Sequence, residues 1–332
     1  MTSWGTVTLA DEPSALLMAF AAHHARLGAS EIHIYLDRPN TALAAALSKH
    51  PALRITQCDD AFWRAHGGRA QLQTKRQDVI ANLAYDKAGV DWLAHIDADE
   101  FISARALKSE LAAMPASIPC IRLPVRERAW GAGAEPSDIF DGFFRVPVPG
   151  KLGLDRHFLK HLGRFTQRGV TGHTRGKTFA RRGAGLRLSI HSPYDAEDIP
   201  FLESQSMRLL HFDGLTPFHW LLKRLRYASL PHADEKLHAD NYRWNQIAAL
   251  REFATVWEAR RFQRRLTTLN AEREMQFRAL GLVEDAPGFD PERALSAVYP
   301  DQQIDLSVEA FDEALRTRDK DLVAALGLLP AS

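Results

Sequence analysis

Up to residue 100 the chain alternates between two hydrophobic patterns, and this alternation constrains the fold more than any other feature of the 332 residues. Short runs rich in β-branched and aromatic residues predict strands. Longer runs with apolar residues at helical spacing lie between them. Strands separated by helices are typical of βαβ units with a parallel sheet. The predicted strands are 6–9, 31–36, 53–56 and 92–96, and the predicted helices are 15–27, 41–49 and 74–88.

Acidic residues stand at the ends of two predicted strands. Asp37 follows strand 31–36, and Asp97-Ala98-Asp99 follows strand 92–96, whose nearly continuous apolar run predicts a central strand covered on both faces. Ligands of parallel sheets bind beyond the carboxyl ends of the strands. Two carboxylates separated by one residue can face one hard cation, so this edge is a candidate site for Mg²⁺ or Mn²⁺.

The rest of the chain changes character twice. Residues 121–200 are rich in Gly, Pro and Arg, with short apolar runs such as 186–190, which predicts a strand. From residue 217 onward, apolar residues recur at helical spacing. The sequence therefore predicts an α/β fold with a Rossmann-like, mostly parallel sheet over 1–230 and a helical C-terminal extension over 231–332. The predicted helices of the second half are 218–227, 241–277 and 307–325.

Composition excludes several classes of protein. A formal net charge of +1 gives no overall field for nucleic acid, and we predict no nucleic-acid partner. Two distant cysteines, Cys58 and Cys120, predict buried thiols in a reducing compartment, not a disulfide framework or a zinc cluster. Residues 1–10 lack the basic region of a signal peptide, and the apolar run 15–22 is too short to span a bilayer. We expect a cytoplasmic protein without a transmembrane segment, for which membrane contact would be peripheral.

The segment Trp92–Phe101 resembles a motif of GT-A-fold glycosyltransferases. It is closest to the family-2-like bacterial group, whose pattern is W-hydrophobic-x-x-hydrophobic-D-x-D-E-F. Asp11-Glu12 and the helix through His24 and Gly28 resemble that group's opening segment, although Ala10-Asp11-Glu12 stands where Lys-Asn-Glu is usual. The resemblance covers roughly residues 5 to 228. Its further segments are 32–37, Arg76-Gln77, 130–133, 176–179, and His211-Phe212 followed by Lys223 and Arg224.

The resemblance implies a GT-A-like domain over 1–230 and an enzyme of hexosyltransferase type. Such an enzyme moves a sugar from a nucleoside-diphosphate sugar to a glycan, polysaccharide or lipid-linked acceptor, with inversion. The implied metal ligands are Asp97 and Asp99, completed by His211. His191, after the predicted strand 186–190, is a further candidate ligand. On the donor side the candidates are Asp11 and Asp37 for the base or ribose, Arg76 and Gln77 beside them, and Lys177 for the diphosphate.

An inverting transfer also needs a general base near the acceptor hydroxyl, usually a carboxylate. Glu127, Glu135, Asp138 and Asp213 lie in or next to the loop-rich part of the chain. Asp213 and Asp138 are the first candidates, because each is close in sequence to a segment that carries the resemblance.

Two other classes of function compete with this interpretation. A sugar nucleotidyltransferase would need a glycine-rich, basic phosphate loop after the first strand, whereas this chain has Leu9-Ala10-Asp11-Glu12-Pro13 there. Gly172 and Gly176 are also one residue too close for a Walker-type loop. A non-catalytic nucleotide-sugar-binding or scaffold protein could use the basic helix around Trp257 to bind a partner, although an amphipathic helix with a solvated basic face is the favoured explanation. The residues concerned are Arg260, Arg261, Arg264 and Arg265 beside Phe262.

Overall fold

The structure is a computed structural model that describes residues 2–150, 162–230 and 241–325. It is a mixed α/β fold whose largest sheet is mostly parallel, and its C-terminal part is mainly helical, which confirms the predicted fold class. The predicted division into domains stays a prediction, since its boundary falls beside residues 231–240, outside the described residues.

Over the first hundred residues the helices and strands follow the predicted order, with one additional short helix at Asp60–Ala65 that the sequence did not predict. The strands are β1 (Trp4–Ala10), β2 (Glu31–Leu36), β3 (Leu53–Gln57), β4 (Trp92–His95), β5 (Glu100–Ala104), β6 (Cys120–Leu123), β7 (Val125–Ala129), β8 (Phe143–Arg145), β9 (Lys177–Arg181), β10 (Phe201–Glu203), β11 (Met207–His211) and β12 (Val283–Glu284). The helices are α1 (Ser14–Arg26), α2 (Thr41–Leu47), α3 (Asp60–Ala65), α4 (Gln73–Lys87), α5 (Leu107–Ala113), α6 (Pro217–Ala228), α7 (Tyr242–Glu252), α8 (Val256–Thr267), α9 (Ala271–Ala279), α10 (Pro291–Val298), α11 (Val308–Arg318) and α12 (Lys320–Ala325).

The chain forms two compact units, and each is assembled from three segments. The described residues of unit 1 lie within Met1–Val125, Arg175–Leu210 and Ala286–Ile304. Those of unit 2 lie within Arg126–Thr174, His211–Asp285 and Asp305–Ser332.

Unit 1 contains a seven-stranded sheet in the order β10-β6-β9-β4-β1-β2-β3. Strand β1 pairs in parallel with β2 on one side and with β4 on the other, and β2 pairs in parallel with β3. Strand β9 runs antiparallel between β4 and β6. The chain thus builds outward from β1 through β2 and β3 and then crosses to β4. The carboxyl ends of β1 and β4 form the switch point at which ligands of open α/β sheets bind.

Helices cover both faces of this sheet. Every residue of β1 is buried, as the continuous apolar pattern of a central strand requires. On one face Val7 and Leu93 pack against Ile80 and Ala84 of α4. Helix α1 packs against α10 as well as against β2 and β5. Both cysteines are buried and free, as predicted.

Unit 2 combines antiparallel strands with helices. Strand β8 pairs antiparallel with β7 and β12. Buried Trp220 and Leu221 of α6 pack with Leu250 of α7 and with Phe262 and Leu266 of α8. The arginines of α8 lie on its opposite face and are exposed, as a solvated basic face predicts; they are Arg260, Arg261, Arg264 and Arg265. Within the described part of the chain, no helix is both long enough and apolar enough to cross a membrane.

Three predictions of secondary structure were wrong. The predicted helix 307–325 is two helices, α11 and α12, interrupted at Asp319. The predicted helix 241–277 is three helices, because Thr255 and Asn270 accept backbone hydrogen bonds as N-caps and start α8 and α9. The predicted strand 186–190 is only an isolated bridge at Leu188. The amide of Asn82 on α4 occupies both backbone groups of Leu188, at 2.8 and 2.9 Å, so a side chain replaces the neighbouring strand.

Two buried histidines tie α1 to β5. His23 Nε2 donates to the carbonyl oxygen of Ile102 at 2.8 Å, and His24 Nε2 accepts from the Ile102 amide at 3.3 Å. His24 Nδ1 donates to the Phe20 carbonyl at 2.9 Å. Burial, only partly opposed by the Ile102 carbonyl, lowers the pKa of His23 to about 4, and burial lowers the pKa of His24 as well. Both rings are therefore neutral in the folded protein.

We expect the free energy of unfolding to fall as pH drops from about 6.5 toward 4. The unfolded chain takes up protons on these histidines in this range, whereas the folded chain does not, so acid favours unfolding. His23→Gln keeps an N–H donor but removes the titration, and it should make the dependence shallower by up to about 1.4 kcal/mol per pH unit. Urea denaturation at pH 7, 6 and 5 measures both slopes, and equal slopes would contradict the assignment.

Candidate functional site

The Asp97-Ala98-Asp99 segment lies at the carboxyl end of β4, beside the switch point of the unit 1 sheet. It forms a tight turn, since the amide of Glu100 donates to the carbonyl oxygen of Asp97 at 3.0 Å and β5 begins at Glu100. The Asp97 side chain is 32% exposed, whereas Asp99 is buried. One carboxylate of the pair is therefore accessible to a ligand from solvent.

A buried lysine fixes the Asp97 carboxylate. Lys177, the first residue of β9, is 1% exposed, and its Nζ lies 2.9 Å from Oδ2 of Asp97 and 3.4 Å from Oε2 of Glu100. The same Glu100 oxygen accepts from the Asp97 amide at 2.7 Å. Burial disfavours the ammonium group, but the two carboxylates outweigh burial and raise the pKa of Lys177 above its ordinary value. Lys177 is therefore a permanent cation at this site.

Helix α4 supplies the next two side chains. Gln77 Nε2 donates to Oδ1 of Asp97, so both carboxylate oxygens of Asp97 are held. Arg76 is buried and binds both oxygens of Asp37 through Nε and Nη2, at 2.8–3.1 Å. Its Nη1 donates to the carbonyl oxygens of residues 70 and 71. A second guanidinium, that of the half-exposed Arg69, lies 3.0 Å from Asp37 Oδ1.

Asp11, a predicted donor-side residue, and His191, a predicted metal ligand, contact other residues of unit 1. Arg38 Nη2 donates to Oδ2 of Asp11 at 3.2 Å, and both side chains are partly exposed. His191 shares a hydrogen bond of 3.1 Å between its Nδ1 and the carbonyl oxygen of Gly176, the residue before Lys177. The carbonyl of His191 accepts from Thr178 at 2.9 Å.

A second polar cluster lies in unit 2, around Glu127 on β7. Arg145 stands opposite Glu127 in the antiparallel pair of β7 and β8, and its Nη2 donates to Oε1 of Glu127 at 2.7 Å. The amides of Thr171 and Gly172 donate to the two Glu127 oxygens at 2.7 and 2.6 Å. Although burial alone would raise it, Arg145 and the neighbouring His211 lower the pKa of Glu127 to about 2.

Asp213 is the other carboxylate of this cluster. Arg224 binds both of its oxygens, and Thr171 Oγ1 donates to Oδ2 at 2.7 Å. Burial raises the pKa of Asp213, but Arg224, Arg243 and Lys223 lower it much further, so the net pKa lies well below its usual range. A carboxylate held ionised this strongly is a weak base.

The remaining predicted residues are His211 and Asp138, both in unit 2. His211 ends β11, is buried, and places Nδ1 3.7 Å from Oε2 of Glu127. Its ring lies 4.9 Å from that of His173. Asp138 forms a local turn in which its Oδ1 accepts from the Phe140 amide at 2.7 Å.

The structure therefore gathers five of the six predicted donor-side residues into two groups, Asp97 with Gln77 and Lys177, and Asp37 with Arg76. The sixth, Asp11, contacts Arg38 instead. Sequence reasoning missed Glu100 as the partner of Lys177, although it belongs to the Asp-x-Asp-Glu-Phe motif. It also missed Arg69, whose flanking sequence carries no periodic pattern. The ligand and base roles assigned to His211, His191, Asp213 and Asp138 stay predictions.

Comparisons with known proteins give only distant similarities. No protein-family model matches the chain, and no curated protein matches its sequence. Among solved structures, galactosyltransferase LgtC with donor and acceptor sugar analogs is 12% identical, with a TM-score of 0.34, over 78% of this chain and 99% of LgtC. A 4-diphosphocytidyl-2C-methyl-D-erythritol synthase from Anaerococcus prevotii is 6% identical, with a TM-score of 0.33, over 62% of this chain and 89% of the synthase. The bifunctional glycosyltransferase WbbM is 14% identical, with a TM-score of 0.29, over 55% of this chain and 32% of WbbM.

Gly176, the residue before Lys177, lies close to the carbonyl oxygen of Leu123, and two glycines provide a matched test of this approach. Gly176 has φ +69°, and a Cβ there would overlap the carbonyl oxygen of Leu123; Gly183 has φ +76° with open space around it. Both Ala variants suffer the same backbone strain, so Gly176→Ala should lose about 1–3 kcal/mol more in free energy of unfolding than Gly183→Ala. Chemical denaturation measures the difference. Equal losses in the two variants would show that stability does not require the close approach of Gly176 to Leu123.

Proposed function

We propose that the protein is a metal-dependent glycosyltransferase of GT-A type. It transfers a sugar, of hexosyl type, from a nucleoside-diphosphate sugar to a glycan or lipid-linked acceptor, with inversion. The observation that carries this proposal is the position of Asp97: a partly exposed carboxylate at the carboxyl end of the central strand β4, at the switch point of the sheet, oriented by Gln77 and Lys177. The resemblance of residues 92–101 to the glycosyltransferase motif supports the same function.

The donor set fits a hard divalent cation. Asp97 and Asp99 offer carboxylate oxygens, which Mg²⁺ and Mn²⁺ prefer. A carboxylate oxygen has two lone pairs, so the hydrogen bonds from Gln77 and Lys177 are compatible with metal ligation and fix the direction of approach. A bound ion would neutralise the charge that develops on the departing diphosphate. We propose His211 and His191 as additional ligands, as the sequence predicts.

The chain's own residues orient the donor. Lys177 adds a fixed positive charge near the place where the diphosphate leaves, at a position that is preorganised before the donor binds. Asp37 and Asp11 stand after β2 and β1, at the same edge of the sheet, and we propose that they contact the base or the ribose. Arg76 supports this by holding the Asp37 carboxylate in one orientation.

On the acceptor side, the proposal concerns the general base. We propose a carboxylate as the general base, with Asp138 ahead of Asp213, since Arg224 and Thr171 already occupy both oxygens of Asp213.

The rival function of sugar nucleotidyltransferase has less support, because an acidic segment, Asp11-Glu12-Pro13, leads directly from β1 into α1. That segment offers no glycine-rich cradle for a triphosphate.

Metal-dependent nucleotide binding tests the proposal. Thermal-shift measurements with UDP, GDP, CDP and dTDP should give a rise in melting temperature for at least one nucleotide, with Mn²⁺ and not with EDTA. Asp97→Asn and Asp99→Asn should each abolish this rise and sugar transfer, because they remove a charged ligand of the metal. Asp86→Asn removes an exposed carboxylate of α4 and serves as the matched control.

The ligand-free melting temperatures of the three variants show whether each is folded. If no nucleoside diphosphate stabilises the wild type under any condition, the Asp97-Ala98-Asp99 segment is a structural strand end, and the non-catalytic scaffold function becomes the better explanation.

A further inference from the structure

Helix α8 presents one exposed face that combines a tryptophan with arginines. Trp257 is 66% exposed, the largest exposed fraction among the large hydrophobic side chains of the described residues. Four exposed arginines follow it three, four, seven and eight positions along the helix; they are Arg260, Arg261, Arg264 and Arg265. Residues at these offsets lie on the same side of a helix, so the five side chains share one face.

The opposite side of α8 is fixed in the core of unit 2. Phe262 and Leu266 are buried and pack with Trp220 and Leu221 of α6. A capping box between Thr255 and Glu258 fixes the start of the helix. Because the apolar side of α8 is already occupied, a further partner can contact this helix only through its exposed face.

Few carboxylates neutralise the arginines of this face. Among the described residues, the only ion pair that these arginines form joins Arg264 Nη1 to Oε1 of Glu135 at 3.6 Å, and both side chains are exposed. An ion pair between exposed side chains contributes little. The Glu258 carboxylate accepts instead from the amides of Ala254 and Thr255 at the helix start. The face is therefore strongly positive although the whole chain has a formal net charge of only +1.

A solvated basic face accounts for the arginines but not for Trp257. An indole has a large apolar body and one polar N–H, which suits a boundary between water and an apolar phase. The guanidinium carbon of Arg261 lies 5.4 Å from the centre of the Trp257 ring, so the charged and aromatic groups form one continuous surface. Basic side chains together with tryptophan are typical of helices that lie on a membrane surface.

We propose that this face of α8 docks the protein on a membrane that contains anionic lipids. The four arginines contact the negatively charged headgroups, and the Trp257 ring lies at the depth of these headgroups. A bilayer suits the face better than a protein partner, because its negative charge is spread evenly and requires no matching pattern of acidic residues. The proposal stands on α8 and goes beyond the proposed function, whose lipid-linked acceptor would lie in such a membrane.

Co-sedimentation with large unilamellar vesicles, without metal or nucleotide, tests the proposal. The wild type should bind vesicles of equal parts phosphatidylglycerol and phosphatidylcholine, and not vesicles of phosphatidylcholine alone. Raising the salt concentration from about 0.1 M to about 1 M should release it, because the Debye length falls from about 10 Å to about 3 Å. The Arg261→Gln, Arg265→Gln double variant should bind at least about tenfold more weakly, since each cation near an anionic surface adds several-fold.

A matched double variant controls for the loss of charge. Arg64→Gln with Lys87→Gln removes two positive charges from exposed positions of α3 and α4 and should bind like the wild type. The charge-conserving Arg261→Lys, Arg265→Lys variant should retain binding. The melting temperature of each variant without vesicles shows whether it is folded.

Trp257 gives a readout that is specific to this face. The chain has seven tryptophans, and the other six are buried or partly buried. Anionic vesicles that carry brominated lipid should shift the tryptophan emission of the wild type to the blue and quench it. The Trp257→Phe variant keeps all four arginines and should lose both changes.

The proposal is overturned if the wild type does not bind the anionic vesicles, or if the test and control double variants lose affinity equally. Quenching that persists in Trp257→Phe would place a different surface on the membrane and contradict it as well. Tighter binding to duplex DNA or RNA, lost in the test variant, would assign the face to nucleic acid instead. None of these measurements involves Asp97 or Asp99, so failure of the metal site and failure of this surface are distinguishable.

Discussion

The structure of unit 1 depends on one buried cation. Lys177 reaches the end of β4 from β9 and forms ion pairs with both Asp97 and Glu100, while its own ammonium group is buried. Removing one partner of such a group leaves an uncompensated buried charge, typically at a cost of about 3–5 kcal/mol. The ion pair therefore binds β9 to the β4–β5 turn, and it also sets the orientation of Asp97. The same interaction therefore stabilises the end of β4 and sets the geometry of the candidate metal ligand.

A similar principle organises unit 2, with the signs reversed. There two buried carboxylates are held by buried arginines, Glu127 by Arg145 and Asp213 by Arg224. Backbone amides of Thr171 and Gly172 complete the shell of Glu127. In unit 1 a buried cation orients a carboxylate, and in unit 2 buried cations hold two buried carboxylates.

The sequence predicted the framework well and the side-chain network only in part. Strand 31–36 was identified by its β-branched and aromatic residues and strand 92–96 by its nearly continuous apolar run, and Asp37 and Asp97 followed from their ends. Pairing partners distant in sequence, such as Arg145 with Glu127 or Arg243 with Asp213, depend on tertiary packing that no local pattern records. The prediction of a strand at 186–190 was wrong for the same reason, since the Asn82 side chain of α4 forms hydrogen bonds with the backbone N–H and C=O groups of Leu188. The assembly of each unit from three separate segments of the chain could not be predicted from local patterns either.

The central claim is that Asp97 and Asp99 hold a divalent metal beside a nucleoside diphosphate. The most direct measurement is an anomalous difference map from crystals grown with Mn²⁺ and the nucleotide that binds best. The account predicts a manganese peak within about 2.0–2.3 Å of a carboxylate oxygen of Asp97 or Asp99 and adjacent to the diphosphate. A bound nucleotide with no manganese at these residues, or with manganese elsewhere on the chain, would contradict it.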